Sequence, residues 1–568
     1  MRILKSFFVN VIIFLSIVII SPVTSSGVMA NTTAEVSQSM VDQAEADVNC
    51  LLDENDRDVM LKNPVTDFIR RWLEIPVMKF KAAFIKPFIK KFRHNVPVPD
   101  SDMIYSWIEE LCSWEHRRPG TDEGHAAEEF IFNKFKEIGL QDVSMQPIDI
   151  NVWEPKEWSL TVEGETIPCF FSVNTALTDQ DGISAPLAYV GLGLPGDFNR
   201  VDVKDKIAVV EIIIPYLPSG ALLSIPNSSY FISDPDKSID FMTGQFLSFL
   251  YMNIWPESEW DDHNPENAIK DLWDVYDMAA EHGAKGVVLL LANKPSKYNT
   301  QYGIYDGVMR PVPAVWVGKY DAIRLRRLAK QKKSAVLVQA GDVDQGQMNN
   351  VWGVLPGRSD DTIIICSHQD SAFKGAVEDG TGIAQVFAQV WAWAQVPQND
   401  RPKTLVFVAT AGHLYGGLGG FSFAYENKEI MERTWLVMNL EHLAAEEVKE
   451  SRGEYKKTGQ VAPSIIWTTE NAKVLAALSK AIDKRPARRA VSLPSKFFGL
   501  PVSDVPGYIV GATANGLPEV PVISWISSPY YLLDEQDTLD KVAKDELEPI
   551  AGTITEIVKN FMMLRSRP

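Results

Sequence analysis

The stretch Thr362-Ile363-Ile364-Ile365-Cys366-Ser367-His368-Gln369-Asp370 decides how this chain is read. A near-continuous apolar run of this length, ending in polar groups, is the pattern of a strand buried on both faces of a parallel sheet. Two similar runs follow, Thr404 to Ala409 and Trp435 to Leu440. Gly382 to Ala394 lies between the first two runs and has helical character. Strand, helix and strand in that order predict an α/β unit with a mainly parallel sheet.

The ends of those runs carry the chemistry. His368-Gln369-Asp370 follows the first, Gly412-His413 the second and Glu441-His442 the third. Glu378-Asp379-Gly380 leads into the helix after the first strand. Ligands in open α/β sheets bind just beyond the carboxyl ends of the strands, so these groups can converge. Imidazole and carboxylate together suit zinc or another divalent ion. Asp370 reads either as an orienter of His368 or as an acid/base group. His442 reads as a ligand or as a structural group, and Asp379 joins the set as a further site residue. Ser503-Asp504, Tyr530 and Tyr531 read as packing residues or as residues of the cleft, with packing favoured, and Trp391 and Trp393 read as core.

Working outward, the whole chain has 568 residues, 46% hydrophobic and 23% charged. That composition fits a globular protein and excludes a disordered or polytopic membrane chain. The net charge of −19 argues against a nucleic-acid partner. The four cysteines form no metal or disulfide pattern. Arg2 and Lys5 precede the apolar run Phe7 to Ile20 and a small-residue stretch ending at Ala30. Residues 1–30 therefore read as a signal peptide, and the protein as exported to the periplasm or the exterior. Residues 31–100 read as a linker followed by a basic amphipathic arm. Within 70–93, Phe80, Phe84, Phe88 and Phe92 recur at helical spacing among lysines and arginines, with Pro76 and Pro87 expected to kink or divide the helix. One reading lays this arm on an anionic membrane. The other packs it on the acidic body or on a second subunit, and the acidic composition favours that one. Residues 161–345 read as an inserted domain of short β-rich runs, with a long aromatic lid loop at 215–265.

These residues resemble peptidase family M28, the zinc aminopeptidases and glutamate carboxypeptidase-like proteins. The resemblance rests on Ser367-His368-Gln369-Asp370, Gly375-Ala376-Val377-Glu378-Asp379-Gly380-Thr381-Gly382 and Lys403-Thr404-Leu405-Val406-Phe407. Arg118-Pro119-Gly120-Thr121 and Asp537-Thr538-Leu539-Asp540 add to it. The insert is similar to a protease-associated domain, through Asp202 to Ile207, Gly283 to Val287 and Val312 to Val315. The resemblance implies a three-layer α/β sandwich over 101–160 and 346–568, with the insert between the two parts.

Departures from the family pattern bear on activity. The family's bridging aspartate falls on Glu378 and its next aspartate ligand on Glu441. Its consecutive glutamates, general base then ligand, fall on His413 and Leu414. Its last histidine falls on a leucine at 532 or 533. The resemblance thus implies one zinc or other divalent metal per chain on His368, Glu378 and Glu441, not two. His413 and Asp370 remain as catalytic candidates, with His413 open to being either a base or a fourth ligand. The expected activity is exported, metal-dependent hydrolysis of a peptide or small amide. The alternatives are a non-catalytic binding protein, and cyclisation or lactone opening in the same cleft.

Overall fold

The computed structural model describes residues 64–140, 142–193, 195–212, 229–239, 270–291, 297–303, 305–495, 503–527 and 529–568. The expected signal peptide, the 31–60 linker and all of the 215–265 loop except 229–239 lie outside the described residues. Trp72–Pro568 forms one unit, and of Met1–Arg71 only the start of a helix is described.

The three apolar runs are strands, Thr362–His368, Thr404–Thr410 and Thr434–Glu441. Thr362–His368 lies between the other two and is parallel to both. Val522–Ser527 continues the parallel sheet beyond Thr434–Glu441, and Ser464–Thr468 then runs antiparallel to it. Alternation of side chains splits each strand between two apolar layers. Ile363, Ile365, Leu405, Phe407, Leu436 and Met438 pack against Ile383, Phe387 and Trp393 of helix Gly382–Ala394 and against helix Leu547–Met562. Ile364, Cys366, Val406, Val408 and Val437 pack against Phe423, Val505 and Tyr508 on the opposite face. This is the expected three-layer α/β sandwich. Trp393 and Tyr531 are buried, in keeping with a packing role.

The insert is spliced between two long antiparallel strands, Asp142–Val162 and Ser334–Leu355, which pair along nearly their whole length. Ser334–Leu355 also pairs with Thr404–Thr410 at one end and with the insert strand Ile183–Gly191 at the other. The insert and the site-bearing strands therefore share one continuous sheet. Inside the insert, Ile183–Gly191, Ile207–Ile212, Gly286–Leu291 and Ala314–Gly318 run parallel, with helices Lys270–Glu281 and Lys319–Lys330 between and after them. It is a small parallel α/β layer, richer in helix than the short apolar runs suggest.

The arm also differs from expectation. Helix Pro64–Ile85 passes through Pro76 without a break and ends just before the 3-10 turn Lys86–Phe88, which contains Pro87. Ile75, Ala82, Ile89 and Phe92 pack into the main core. Lys86 pairs with Asp483, and the Lys480 ammonium donates to the Ile89 carbonyl. The arm is thus packed on the body, as its second reading anticipated.

One buried cation organises the site end of the sheet. The Arg117 guanidinium, 1% exposed, donates to the carbonyls of Leu111, Gln369, Lys374 and Gly375 at 2.6–3.2 Å. These bonds hold the loop between His368 and Glu378 against the first helix of the domain. Replacing Arg117 with Met leaves four buried carbonyls short of a donor. The variant is expected to lose about 3 kcal/mol or more, read as a lower denaturant midpoint in guanidinium unfolding.

Candidate metal centre

His368 and Glu441 are the last residues of their strands, and His442 follows directly. His413 lies in the loop after Thr404–Thr410. Glu378 sits in the turn between the first strand and helix Gly382–Ala394. The fold thus brings together every residue that sequence reasoning placed in the site.

Each imidazole is anchored through Nδ1. His368 Nδ1 is 3.1 Å from the Asp370 carbonyl oxygen and His442 Nδ1 is 2.8 Å from the Ser527 carbonyl oxygen. His413 Nδ1 is 3.0 Å from Asp504 Oδ1. A carbonyl oxygen only accepts, so Nδ1 carries the proton in His368 and His442 and Nε2 is left for the centre. All three Nε2 atoms face one carboxylate. His442 Nε2 is 2.9 Å from Glu378 Oε2, an ionic contact without hydrogen-bond alignment. His368 and His413 Nε2 lie 3.6 and 3.9 Å from Glu378 Oε1.

The surrounding acids hold backbone, not substrate. Asp370 is predicted to orient His368 or act as an acid/base group, and the geometry differs. Its carboxylate is 3.7 Å from His368 Nδ1 and instead accepts the N–H groups of His413 and Leu414 at 3.2 and 2.8 Å. The chain turns after His368, so the Asp370 carbonyl meets the ring and the carboxylate meets the neighbouring loop. Asp379 accepts from the N–H groups of His442 and Gly382 and from the Ser367 hydroxyl. Asp537 accepts the N–H groups of Val377 and Glu378. Glu441 Oε1 accepts from Asn439 Nδ2 at 2.8 Å and from the Asp504 N–H at 3.3 Å.

Asp504, expected either to pack or to lie near the cleft, is fully buried and supports His413 directly. It also accepts from the Thr410 hydroxyl. Tyr305, from the insert, was not anticipated. Its ring stacks on His413 at 5.5 Å between centroids, and His413 stacks in turn on His368 at 3.9 Å. No local pattern around Tyr305 marks it, because only the fold of the insert brings it to the strand ends.

Burial and charge oppose one another here. Desolvation disfavours the Glu378 carboxylate, but the imidazoles of His442, His368 and His413 bring its pKa down to about 2. Burial likewise works against the His442 imidazolium, yet the Glu378 carboxylate beside it raises its pKa to about 10. Desolvation raises the carboxyls of Asp379 and Glu441 and takes Asp537 up to about 7.

At the centre, His368 Nε2, His442 Nε2, Glu378 Oε1 and Glu441 Oε2 are buried and have no hydrogen-bond partner among the described residues. Buried polar groups are ordinarily satisfied, so their convergence fits a bound cation. Donor atoms of His368, His413 and Glu441 lie within 4.8 Å of one another, as do those of His368, Asp379 and His442. Asp379 accepts from its three donors and also has Oδ2 3.8 Å from His368 Nε2. The set expected from the sequence, His368, Glu378 and Glu441, is neither of these two groupings: Glu378 Oε1 is 3.6 Å from His368 Nε2, while Glu441 groups with His368 and His413.

The position that would take a second ion is apolar. Leu414 and Leu533 belong to one buried apolar cluster together with Tyr302 and Ala372, whereas Leu532 packs in the main core. Leu533, not Leu532, faces the Leu414 side of the site.

Comparison with known proteins agrees with this fold. Residues 350–506 match peptidase family M28. No curated protein matches the chain. The structure resembles BSAP, a zinc aminopeptidase from Bacillus subtilis, with TM-score 0.58, 19% identity, and coverage of 82% of this chain and 95% of that one. It resembles the aminopeptidase from Aneurinibacillus sp. strain AM-1 with TM-score 0.54, 20% identity and coverage of 81% and 93%. A peptidase M28 precursor from Shewanella amazonensis SB2B gives TM-score 0.59, 17% identity and coverage of 87% and 99%. At these identities the likeness is one of fold. The resemblance to family M28 holds over the strands that carry the centre.

Gly375 sets the Glu378 turn. Its φ of +55° is left-handed, and a Cβ there would come within about 2 Å of Ser371 Oγ and of the Glu378 carbonyl. Gly375→Ala is expected to cost at least about 2 kcal/mol, measured as a fall in the thermal unfolding midpoint.

Proposed function

We propose that this chain is an exported metal-dependent hydrolase of peptide or small amide bonds, holding one zinc or similar divalent ion. His368 Nε2, Glu378 Oε1 and Glu441 Oε2 would hold the ion. The observation that carries this reading is that these three buried atoms lack a hydrogen-bond partner among the described residues, with His368 Nε2 3.6 Å from Glu378 Oε1 and grouped with Glu441 within 4.8 Å. When bound there, such an ion supplies Lewis-acid polarisation of the substrate carbonyl.

The chain's own residues supply the rest. His413 takes the place where the family resemblance puts a general base. Asp504 fixes its Nδ1 side and leaves Nε2 directed at the centre, the arrangement in which an imidazole accepts a proton and later returns it. Asp370 holds the His413 and Leu414 backbone, and so sets the height of the imidazole above Glu378. Tyr305 and His368 sandwich the His413 ring and restrict its rotation. Tyr305 also excludes water from one side. The protease-associated character of the insert and the location outside the cytoplasm belong to the same proposal, resting on Asp202 to Ile207 and on residues 1–30.

Metal analysis of the purified protein is expected to find about one zinc per chain, absent in His368→Ala. His413→Ala is expected to keep the ion and lose about 10²–10⁴-fold in kcat. Asp504→Asn should also keep it and lose about 10–100-fold. A protein without metal, whose unfolding temperature responds to neither zinc nor chelator, would sink the proposal. Metal without turnover on peptides, N-acyl amino acids and lactones would instead favour the binding-protein reading.

A further inference from the structure

The arm has two apolar faces, and the body covers only one. Ile75, Ala82 and Ile89 recur every seven residues and are buried. Val77, Phe80, Phe84 and Phe88 follow a separate stripe at steps of three and four, and are 47%, 69%, 57% and 69% exposed. Within helix Pro64–Ile85, at 100° per residue, Val77, Phe80 and Phe84 face nearly opposite Ile75 and Ala82. The Phe84 and Phe88 rings stand 5.7 Å apart, forming one apolar ridge. Lys79, Lys90, Lys91 and Arg93 beside it are exposed, whereas acidic residues dominate the chain as a whole.

We propose that this ridge docks on an anionic lipid surface, with the phenyl rings in the headgroup boundary and the flanking lysines and arginine against lipid phosphates. Charge selects this occupant. Residues 74–93 contain six basic side chains and one acidic, Glu74, in a chain of net charge −19. A basic patch on an acidic body orients the molecule arm-first toward a negative surface and keeps the rest away from it. Symmetric pairing of two arms would instead bring like charges together. Area points the same way. Three rings about two-thirds exposed present roughly 400 Å², about half of the ~800 Å² that each partner buries in a standard protein interface. Interfacial insertion of a few aromatic side chains flanked by cations needs no more than that.

The test is co-sedimentation of the purified protein with vesicles of phosphatidylcholine alone and with added phosphatidylglycerol. Binding is expected only with the anionic lipid, and it should weaken as salt is raised. Lys90→Gln with Lys91→Gln should weaken it about 25-fold, since each lysine near an anionic surface contributes about fivefold, roughly 1 kcal/mol. The triple variant Phe80→Ser, Phe84→Ser, Phe88→Ser should abolish it, with an unchanged unfolding midpoint because the rings do not pack on the body. The lysine pair tests the proposal independently if the triple variant folds poorly. No binding to anionic vesicles, or binding that both variants retain, overturns it. So does sedimentation equilibrium showing a dimer that the triple variant turns into a monomer, because a second copy would then cover the ridge.

Discussion

Three imidazoles surround one buried carboxylate, that of Glu378, and the rest of the site is arranged to make this tolerable. An ionised carboxylate removed from water needs opposite charge or several donors. Glu378 Oε2 has the His442 contact, but Oε1 has no partner. Around it Asp370, Asp379, Glu441, Asp504 and Asp537 are buried as well. Most of these acids accept from backbone N–H groups, which fixes the chain, while desolvation raises the carboxyls of Asp379, Glu441 and Asp537. The polar ends of the strands therefore gather six acids and three imidazoles in one buried cluster, a donor chemistry suited to a cation.

The same constraint explains why the insert belongs to the site and is not an appendage. The 22-residue strand Ser334–Leu355 runs from the insert's sheet into the central one. It fixes where the loops of the insert reach the strand ends. Tyr302 donates its N–H to the Leu533 carbonyl, Thr300 donates to Asp534, and Gly416 donates to the Tyr305 carbonyl. These bonds roof the centre with protein. Water that would screen the Glu378 and imidazole charges is displaced, which strengthens their interaction.

The sheet was legible because its strands are buried on both faces, and such strands leave continuous apolar runs that sequence displays directly. His368, Glu378, His413 and Glu441 were legible for a related reason, since each terminates or follows such a run. Asp504 was legible only as a packing or pocket residue, because its partner His413 lies 91 positions earlier and nothing local separates a site aspartate from a packing one. Tyr305 depends on the docking of the insert, a long-range event without periodic signature. For Asp370, the spacing of two residues suggests a side-chain contact with His368, and the chain turn makes the carbonyl the closer group, at 3.1 Å against 3.7 Å for the carboxylate. For the arm, periodicity gave the exposed phenylalanine stripe, but the second stripe of Ile75, Ala82 and Ile89 escaped notice beside it.

Charge balance ties the departures from the family pattern to one another. The resemblance implies a site with two aspartates and two glutamates, four negative charges facing two divalent ions. Here Glu378 and Glu441 keep two of those carboxyls, His413 puts an imidazole in place of a third, and Leu414 removes the fourth. Leu533 removes the histidine that would complete the second position, and it shares an apolar cluster with Leu414. Had only one of these replacements occurred, the cavity would carry a charge without its ion or an ion without its charge, either of which is costly in a buried site. On the proposed reading, they leave two carboxylates for one divalent ion, with the Leu414–Leu533 cluster in place of ligands for a second. The extra methylene in Glu378 and Glu441 follows the same logic on that reading, letting each carboxylate reach toward one proposed centre, while Glu378 Oε2 lies 2.9 Å from His442 Nε2.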